Sequence, residues 1–300
     1  EKNQKKINKL DDETKENYEI INRILEETNK ENSILKKSDV IDPTNLAKSV
    51  WQSIYVSTKE NPTACLYNVV EIFIFKFLSD LGVLTGNNSF NHLYTLYEDN
   101  SEKEVLKHYA SACRNKIKEL FKEAEDGTTI INGTIFVNRE GDPVLSQSTL
   151  FKNTIKKYYN FGNLKNVKKE FKTKLFETFL KQSKDKNKLG QFFTPRKVVK
   201  AICEMADIDK SKFICDGFCG VGGFVLEPLQ ISNNLKNSFL PKNKEINSNI
   251  KLLGLDCGRE DSDEARRTII LAKANMLIYL SDIVEKNPTP ANGDVVVALL

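Results

Sequence analysis

The segment Lys188–Phe224, KLGQFFTPRKVVKAICEMADIDKSKFICDGFCGVGGF, decides the fold of the carboxyl-terminal half of the chain. It places a Thr-Pro helix start, an apolar strand and a glycine-rich turn in direct succession. The apolar run Phe213–Asp216 is typical of a buried first strand. The glycines that follow, Gly220, Gly222 and Gly223, predict a turn into a helix that starts near Gly222. Such a turn lets a ligand approach unpaired backbone N–H groups closely, so the segment predicts an α/β unit with a binding site.

A helix is predicted directly after the Thr-Pro pair. Thr194 is a suitable N-cap and Pro195 suits the first helical turn, so the helix should run to about Ala206. By local sequence alone, Phe192 and Phe193 are core aromatics beside a helix cap. The packed side of the helix is predicted to consist of Val198, Val199, Ile202 and Met205.

Acidic residues end the two strands predicted for this half. Asp216 ends the first strand, and Asp256 follows the second, Ile250–Leu255. A carboxylate at the end of the second strand can accept hydrogen bonds from both hydroxyls of a ribose, as in dinucleotide-binding folds. The polar stretch Ser232–Asn249 is predicted to be a surface loop, and a helix over residues 261–280 is predicted to cover the sheet.

Two motifs together resemble a known family. GQFFTPRKVV at 190–199 and DGFCGVGGF at 216–224 are similar to the N6-adenine DNA methyltransferases that serve as modification subunits of type I restriction-modification systems. That family's pattern is roughly G-Q-[FY]-[FY]-T-P, then D-P-x-C-G-x-G-G-F. LAKANMLIYL at 271–280 also resembles the family's LAxMNLxLHG, and NLAKSVWQSI at 45–54 resembles its helical amino-terminal domain more loosely. The resemblance implies a Rossmann-like class I methyltransferase domain, of the α/β class, and S-adenosyl-L-methionine as cofactor.

Carried onto this sequence, the resemblance implies a set of cofactor-binding residues. Asp216 is placed to serve the amino end of the cofactor and Asp256 its ribose diol. The sequence departs from the family at Asp256, where glutamate is usual, and at Gly217, where proline is usual. Cys219 matches the family cysteine and is interpreted as a small packing residue rather than a nucleophile. The full set is Gln191, Phe192, Phe193, Thr194, Pro195, Asp216, Phe218, Cys219, Gly220, Gly222, Gly223 and Asp256.

Three regions are expected along the chain. Residues 1–41 are a charged helical linker or the end of a preceding domain, residues 42–185 a mainly helical amino-terminal domain, and residues 186–300 the first part of the methyltransferase domain. Apolar residues at helical spacing, separated by turn residues, predict the helices of the middle region. These helices are predicted from Leu46, from Pro62, over Leu106–Glu125, over Ser148–Tyr159 and over Leu164–Gln182.

A small β-hairpin is predicted inside the helical domain. Thr128–Ile131 and Thr134–Val137 are rich in β-formers, and Asn132-Gly133 stands between them. Asn-Gly is the preferred central pair of a type I′ turn, so this is the hairpin signal of the chain.

Composition narrows the class of protein. The charged fraction is 29% and the net charge is +4, so nucleic-acid binding is neither demanded nor excluded. The lysine-rich outer face of the helix predicted over 164–182 either contacts phosphates or is a solvated face. Six cysteines without a CxxC pair, with only two histidines, argue against a zinc site and fit a reducing compartment. The apolar run Ile72–Leu78 is too short and too charged to span a bilayer, so a soluble, intracellular, cytoplasmic protein without a membrane partner is expected.

The resemblance implies an enzyme that transfers a methyl group to adenine N6 in double-stranded DNA, with a specificity subunit and a restriction subunit as partners. The family acts through a [DNS]-P-P-[FYW] loop, and Asn287-Pro-Thr-Pro290 lacks the second adjacent proline and the aromatic. No catalytic residue is therefore assigned, and the catalytic loop is expected beyond residue 300. The alternative is a catalytically inactive methyltransferase-fold module for interaction or DNA binding. An NAD-binding Rossmann domain is disfavoured because GQFFTP has no role in one.

Overall fold

The computed structural model of the protein describes residues 44–123, 129–165, 167, 194–208, 213–238, 251–256 and 263–286. Within these ranges the protein is mostly helical, and two parallel strands form a small sheet. A cluster of buried side chains extends through both halves, from Leu46 to Val284. The expected helical part is present, and the α/β unit is present as two parallel strands with helices. The Rossmann-like arrangement of the sheet stays a prediction.

Helices build the described amino-terminal half. The helices predicted from Leu46, from Pro62 and over Ser148–Tyr159 are confirmed. The α-helices of this half are α1 (Thr44–Thr58), α2 (Pro62–Asp80), α3 (Phe90–Thr95), α4 (Glu102–His108), α5 (Asn115–Leu120) and α6 (Ser148–Phe161).

Helix α2 is the centre of this half. The side-chain oxygen of Asn61 accepts a hydrogen bond from the backbone N–H of Thr63 at 2.8 Å and so caps the helix. Nearly every residue from Cys65 to Leu78 is buried. By length and composition α2 could cross a membrane, but a buried core helix passes the same test, and most of α2 is buried inside the protein.

The helix predicted over Leu106–Glu125 is present but differs in shape. It begins earlier, at Glu102, because Ser101 and Glu104 form a reciprocal capping box. Between α4 and α5 the backbone forms a π-helical turn over Tyr109–Arg114. All the residues predicted for its buried side are buried: Tyr109, Ala110, Cys113, Ile117, Leu120 and Phe121.

Glu71 of α2 is the centre of a buried polar network. Its Oε1 accepts hydrogen bonds from Tyr109 Oη and from Arg114 Nε, each at 2.8 Å. Its Oε2 accepts one from the backbone N–H of Gly133, also at 2.8 Å. The carboxylate is thus buried with its charge paired and its lone pairs used, which is the condition under which a buried ion pair is tolerated.

The hairpin predicted over 128–137 is wrong. No strand forms in the described residues of that segment, 129–137. Its backbone N–H groups bond instead to side chains of α2: Gly133 donates to Glu71, and Ile135 donates to Asn68 Oδ1 at 3.2 Å. Side chains of α2 therefore take the place of a neighbouring strand. A buried backbone group needs a hydrogen-bond partner, but that partner can be a side chain as well as another backbone group.

The chain instead reverses a few residues later. Val137 and Pro143 form an isolated antiparallel bridge. The loop between them is closed by a hydrogen bond from Asn138 N to Asp142 O at 2.8 Å, and Gly141 adopts a φ of 94°. A glycine at the end of a longer loop, rather than the Asn-Gly pair, makes this turn.

Two parallel strands form the α/β unit. Strand β1 (Phe213–Asp216) pairs with β2 (Lys251–Gly254), with Asp216 opposite Gly254, so both predicted strands are confirmed. Because the strands are parallel, their carboxyl ends meet at one edge of the sheet, where Asp216 and Asp256 lie. The helices of this half are α7 (Arg196–Met205), α8 (Gly223–Leu226), α9 (Pro228–Ile231), α10 (Asn233–Ser238), α11 (Asp263–Tyr279) and α12 (Ser281–Lys286).

Helix α7 is present as predicted, but its cap and its packed side were predicted wrongly. Pro195, not Thr194, is the N-cap, and no side chain caps the helix. The buried side is narrow, because α7 packs against α8 and α9 through Val199 and Cys203, one turn apart. The other residues predicted for the packed side are exposed: Val198 (44%), Ile202 (47%) and Met205 (85%).

Two burial predictions in the α/β unit were also wrong. Strand β1 is not fully buried: Phe213 and Cys215 are exposed, while Ile214 on the other face is half-buried against the core. The predicted surface loop 232–249 contains α10, whose Leu235 is buried. Leu235 places this part of the segment on the core.

Some predictions concern residues outside the described ranges. They include the linker 1–41, the lysine-rich face beyond residue 167, and the Asn287–Pro290 segment. Gln191, Phe192 and Phe193 of the GQFFTP motif fall outside as well. The division of the chain at residues 185 and 186 stays a prediction.

Candidate cofactor-binding site

The glycine-rich turn has a backbone that glycine makes possible. Gly220 and Gly222 have φ angles of 52° and 86°, in the left-handed region that side chains other than glycine rarely adopt. Gly222 is also the N-cap of α8, so the helix starts where the sequence predicted it. A side chain at Gly222 would in addition meet Leu226 at 3.0 Å.

Hydrogen bonds attach this turn to the ends of both strands. The N–H of Leu255 donates to Asp216 O at 2.8 Å, and the N–H of Cys219 donates to Leu255 O at 2.7 Å. The N–H of Gly220 then donates to Asp256 Oδ2 at 2.7 Å. Within β1's end, Phe218 N donates to Asp216 Oδ1 at 3.0 Å. Both carboxylates are therefore fixed through one of their oxygens, and within the described ranges the other oxygen remains for a ligand.

Cys219 acts as a packing residue. Its side chain is buried, and a Cβ added to Gly254 of β2 would lie only 2.8 Å from its sulfur. Burial, together with the charges of Asp256 and Asp216, raises the pKa of the Cys219 thiol to about 11. The thiol therefore stays protonated near neutral pH and is a poor nucleophile, in agreement with the prediction from sequence.

The turn forms one wall of a cavity of about 510 Å³. This volume is within the range of small-molecule and cofactor sites. Pro195 lies beside the cavity rather than in its lining, and Phe218 is 89% exposed at its rim. The residues predicted from the motifs that line it are Thr194, Asp216, Phe218, Cys219, Gly220, Gly222, Gly223 and Asp256.

Sequence reasoning missed a polar group in the lining of this cavity, formed by Arg196, Tyr279 and Glu227. Arg196 Nη1 donates a hydrogen bond to Tyr279 Oη at 3.1 Å, and Tyr279 Oη donates to Glu227 Oε2 at 3.4 Å. Burial raises the pKa of Tyr279 to about 12, an effect that Arg196 opposes and Glu227 reinforces. These residues come from three separate helical segments, so no local pattern shows that they meet. The one local signal for this polar group was Arg196, because it directly follows the Thr-Pro pair of the motif.

Asn275 of α11 also lines the cavity. Its Nδ2 donates to the backbone oxygen of Val221 in the glycine-rich turn at 3.0 Å, which fixes the orientation of the amide, since a carbonyl can only accept. Its Oδ1 is buried and has no hydrogen-bond partner among the residues that the structure describes. A buried acceptor without a partner costs about 1–3 kcal/mol. A donor from a ligand in the cavity would remove that cost.

S-adenosylmethionine fits these features. Its ribose diol and its α-ammonium group need acceptors, and Asp216, Asp256 and Asn275 Oδ1 supply them. Its α-carboxylate needs a donor, and Arg196 is the cation of the lining. The glycines leave the turn open to close approach by the ligand. The donor set of the cavity therefore matches the polar groups of this cofactor.

The α/β unit thus has a glycine-rich turn after its first strand and an acidic residue at the end of each strand, an arrangement that dinucleotide-binding folds also use. Residues 167–295 match the family of N-6 DNA methylases, so this part of the chain carries an N-6 DNA methylase domain. The resemblance to adenine methyltransferases deduced from the two motifs is thereby confirmed. No curated protein matches the chain.

Proposed function

We propose that this protein transfers the methyl group of S-adenosyl-L-methionine to N6 of adenine in double-stranded DNA. One observation carries the proposal. Asp216 and Asp256 lie at one edge of the sheet, joined by the glycine-rich turn, inside an N-6 DNA methylase domain. When bound, the cofactor supplies an electrophilic methyl group on a sulfonium.

The two carboxylates have separate roles in binding. Asp256 uses Oδ2 to hold Gly220, and its Oδ1 is proposed to accept a ribose hydroxyl. Asp216 uses Oδ1 to hold Phe218, and its Oδ2 is proposed to accept from the α-ammonium group. Because each carboxylate is fixed through the turn before a ligand arrives, little side-chain entropy is lost on binding.

Arg196 is proposed to bind the α-carboxylate of the cofactor. It lies in the cavity lining beside Thr194, and Tyr279 holds its guanidinium. An arginine and a carboxylate form charge-assisted hydrogen bonds, about twice as strong as those between neutral groups. Glu227 behind Tyr279 keeps the local charge balanced.

Transfer to an exocyclic amine needs acceptors for that amine and an aromatic partner for a base flipped out of the duplex. Neither role is assigned to a described residue. The proposal further includes a restriction-modification system as the setting, with a specificity subunit and a restriction subunit as partners, and the cytoplasm as location. The GQFFTP and DGFCGVGGF motifs support that setting.

Calorimetry with S-adenosylmethionine tests the cofactor. The wild type is expected to bind, and Asp256→Ala to bind at least tenfold more weakly, the effect of a lost charge-assisted hydrogen bond. Asp99→Ala, which removes an exposed carboxylate that does not line the cavity, is the matched control. Absence of binding by the wild type would overturn the proposal.

Methylation of duplex DNA tests the reaction. Radiolabelled cofactor is incubated with the protein and DNA, and the product nucleosides are separated. The label is expected in N6-methyladenine. Cofactor binding without any transfer would favour the inactive methyltransferase-fold module instead.

A further inference from the structure

A second cavity, of about 500 Å³, lies away from the glycine-rich turn. Its walls are the start of α2, the π-helical turn with α5, the loop 129–134 and the turn at Arg139. Ile270 of α11 closes one side, so the methylase domain also borders it. We call it the basic cavity, because its described lining contains three cations: Arg114, Lys118 and Arg139.

Arg114 forms the floor of the basic cavity and is held rigidly. It is only 5% exposed, with Nε bonded to Glu71 Oε1 and Nη2 bonded to Gly133 O at 3.0 Å. Its Nη1 has no hydrogen-bond partner among the described residues. A fixed guanidinium with a remaining donor nitrogen is suited to oxyanions.

Lys118 and Arg139 stand at the rim, both exposed. Desolvation lowers the pKa of Lys118, and the positive charge of Arg114 lowers it further, while Glu71 and Glu123 oppose this. Lys118 and Arg114 are therefore close enough to repel each other, and an anion between these two would relieve that repulsion. Glu123 is the one acidic residue of the described lining.

The uncharged lining suits the same kind of ligand. Asn61, Thr63, Thr134 and Asn138 offer amide and hydroxyl donors. The amino-terminal end of α2, a helix of 19 residues, adds the partial positive charge of its dipole, although Pro62 has no N–H and the N–H of Thr63 is already bound by Asn61. Donors of this kind surround phosphate groups in many proteins.

We propose that the basic cavity binds a phosphate group, held by Arg114 on its floor and by Lys118 and Arg139 at its rim. The phosphate belongs either to a free nucleotide or to the backbone of DNA. Both sources present the same phosphate group, but they differ in the rest of the molecule that the protein must accommodate. This proposal does not depend on the cofactor assigned to the other cavity.

Four variants of the full chain test the cavity without touching its buried floor. Lys118→Gln and Arg139→Gln remove rim charges, and Glu123→Gln removes the opposing charge. Lys116→Gln is the matched control, since Lys116 lies on α5, pairs with Glu119 and does not line the cavity. Unfolding temperatures are measured for all four, because exposed substitutions should leave them unchanged.

The first probe is adenosine 5′-monophosphate, and adenosine is its uncharged counterpart. Calorimetry measures the binding of both. If the phosphate is that of a free nucleotide, the monophosphate binds more tightly than adenosine. Any binding that the two ligands share at the cofactor cavity stays unchanged in the rim variants. Lys118→Gln and Arg139→Gln should then each weaken binding about tenfold, Glu123→Gln should strengthen it, and the control should equal the wild type.

The second probe is short duplex DNA, titrated over a range of salt concentrations. If the phosphate is that of DNA, the magnitude of the slope of log K against log salt decreases by about one in Lys118→Gln and in Arg139→Gln. In the control the slope decreases less. The proposal is overturned if neither probe binds in a phosphate-dependent way. It is equally overturned if the rim variants match Lys116→Gln with both probes.

Discussion

The backbone N–H of Gly220 donates a hydrogen bond to Asp256 Oδ2 at 2.7 Å, across 36 residues of sequence. This bond joins the glycine-rich turn after β1 to the end of β2. It means that one carboxylate both shapes the turn and faces the cavity. Substitutions at Asp256 should therefore separate the two roles.

Asp256→Asn keeps an oxygen that can accept from Gly220 but removes the negative charge. We expect this variant to fold normally and to bind S-adenosylmethionine about tenfold more weakly. Asp256→Ala loses both roles and should bind more weakly still. Calorimetry measures the affinities and urea unfolding the stabilities. Equal affinity of Asp256→Asn and wild type would contradict the assignment to the ribose.

Gly254→Ala should destabilise the protein. The added Cβ would lie 2.8 Å from Cys219 Sγ, so a buried strand and a buried side chain must move apart. Overpacking of this kind typically costs about 1–3 kcal/mol. The free energy of unfolding, from urea titration, gives the value. Adding Cys219→Ala should recover part of the loss; if it recovers none, the contact is not the cause.

Cys215 and Cys219 should differ in reactivity. Cys215 is exposed on β1, whereas Cys219 is buried with a pKa raised to about 11. Iodoacetamide near neutral pH should therefore modify Cys215 first, with little label on Cys219. Labelling of Cys219 should increase as the pH rises toward its pKa, because the thiolate is the reactive form. Mass spectrometry of the peptides follows both, and equal rates near neutral pH would contradict the prediction.

Glu71→Gln should be strongly destabilising. The carboxylate is 2% exposed and pairs with the guanidinium of Arg114, itself 5% exposed, so the substitution leaves a buried cation without its counter-charge. Breaking one side of such a pair costs about 3–5 kcal/mol. Glu119→Gln, which breaks a surface pair with Lys116, should cost less than about 1 kcal/mol. Similar losses in the two variants, by urea unfolding, would contradict the prediction.

Tyr279→Phe should remove the hydrogen bond that positions Arg196 at the cofactor cavity. Without the hydroxyl that accepts from Arg196 Nη1, we expect the affinity for S-adenosylmethionine to fall several-fold. 5′-Methylthioadenosine lacks the amino-acid group, so its affinity should not change. Calorimetry with both ligands makes the comparison. An equal loss for both would mean that Arg196 does not serve the α-carboxylate.

The strands and the turn of the candidate site could be predicted from sequence, because their signals are local. The apolar runs ending at Asp216 and Asp256, and the glycines between them, depend on neighbours within a few residues. The hairpin at Asn132-Gly133 could not be predicted correctly. The backbone N–H of Gly133 is bound by the side chain of Glu71, which lies 62 residues earlier in the chain.

The pair of Arg196 and Tyr279 in the cofactor cavity was missed for the same reason. Arg196 and Tyr279 meet across 83 residues, through helices that read individually as ordinary packing helices. The exposed side of α7 was also unpredictable from its own apolar spacing. Which of its apolar residues become buried depends on where α8 and α9 lie.

The π-helical turn over Tyr109–Arg114 sets the rotational phase of everything that follows it on the same helix. Each residue of an α-helix advances the side-chain direction by about 100°. Deleting one residue from the turn would restore a regular helix and swing Lys118 about a quarter of a revolution around the axis. A single added residue thus decides whether a lysine is aimed at the basic cavity or away from it.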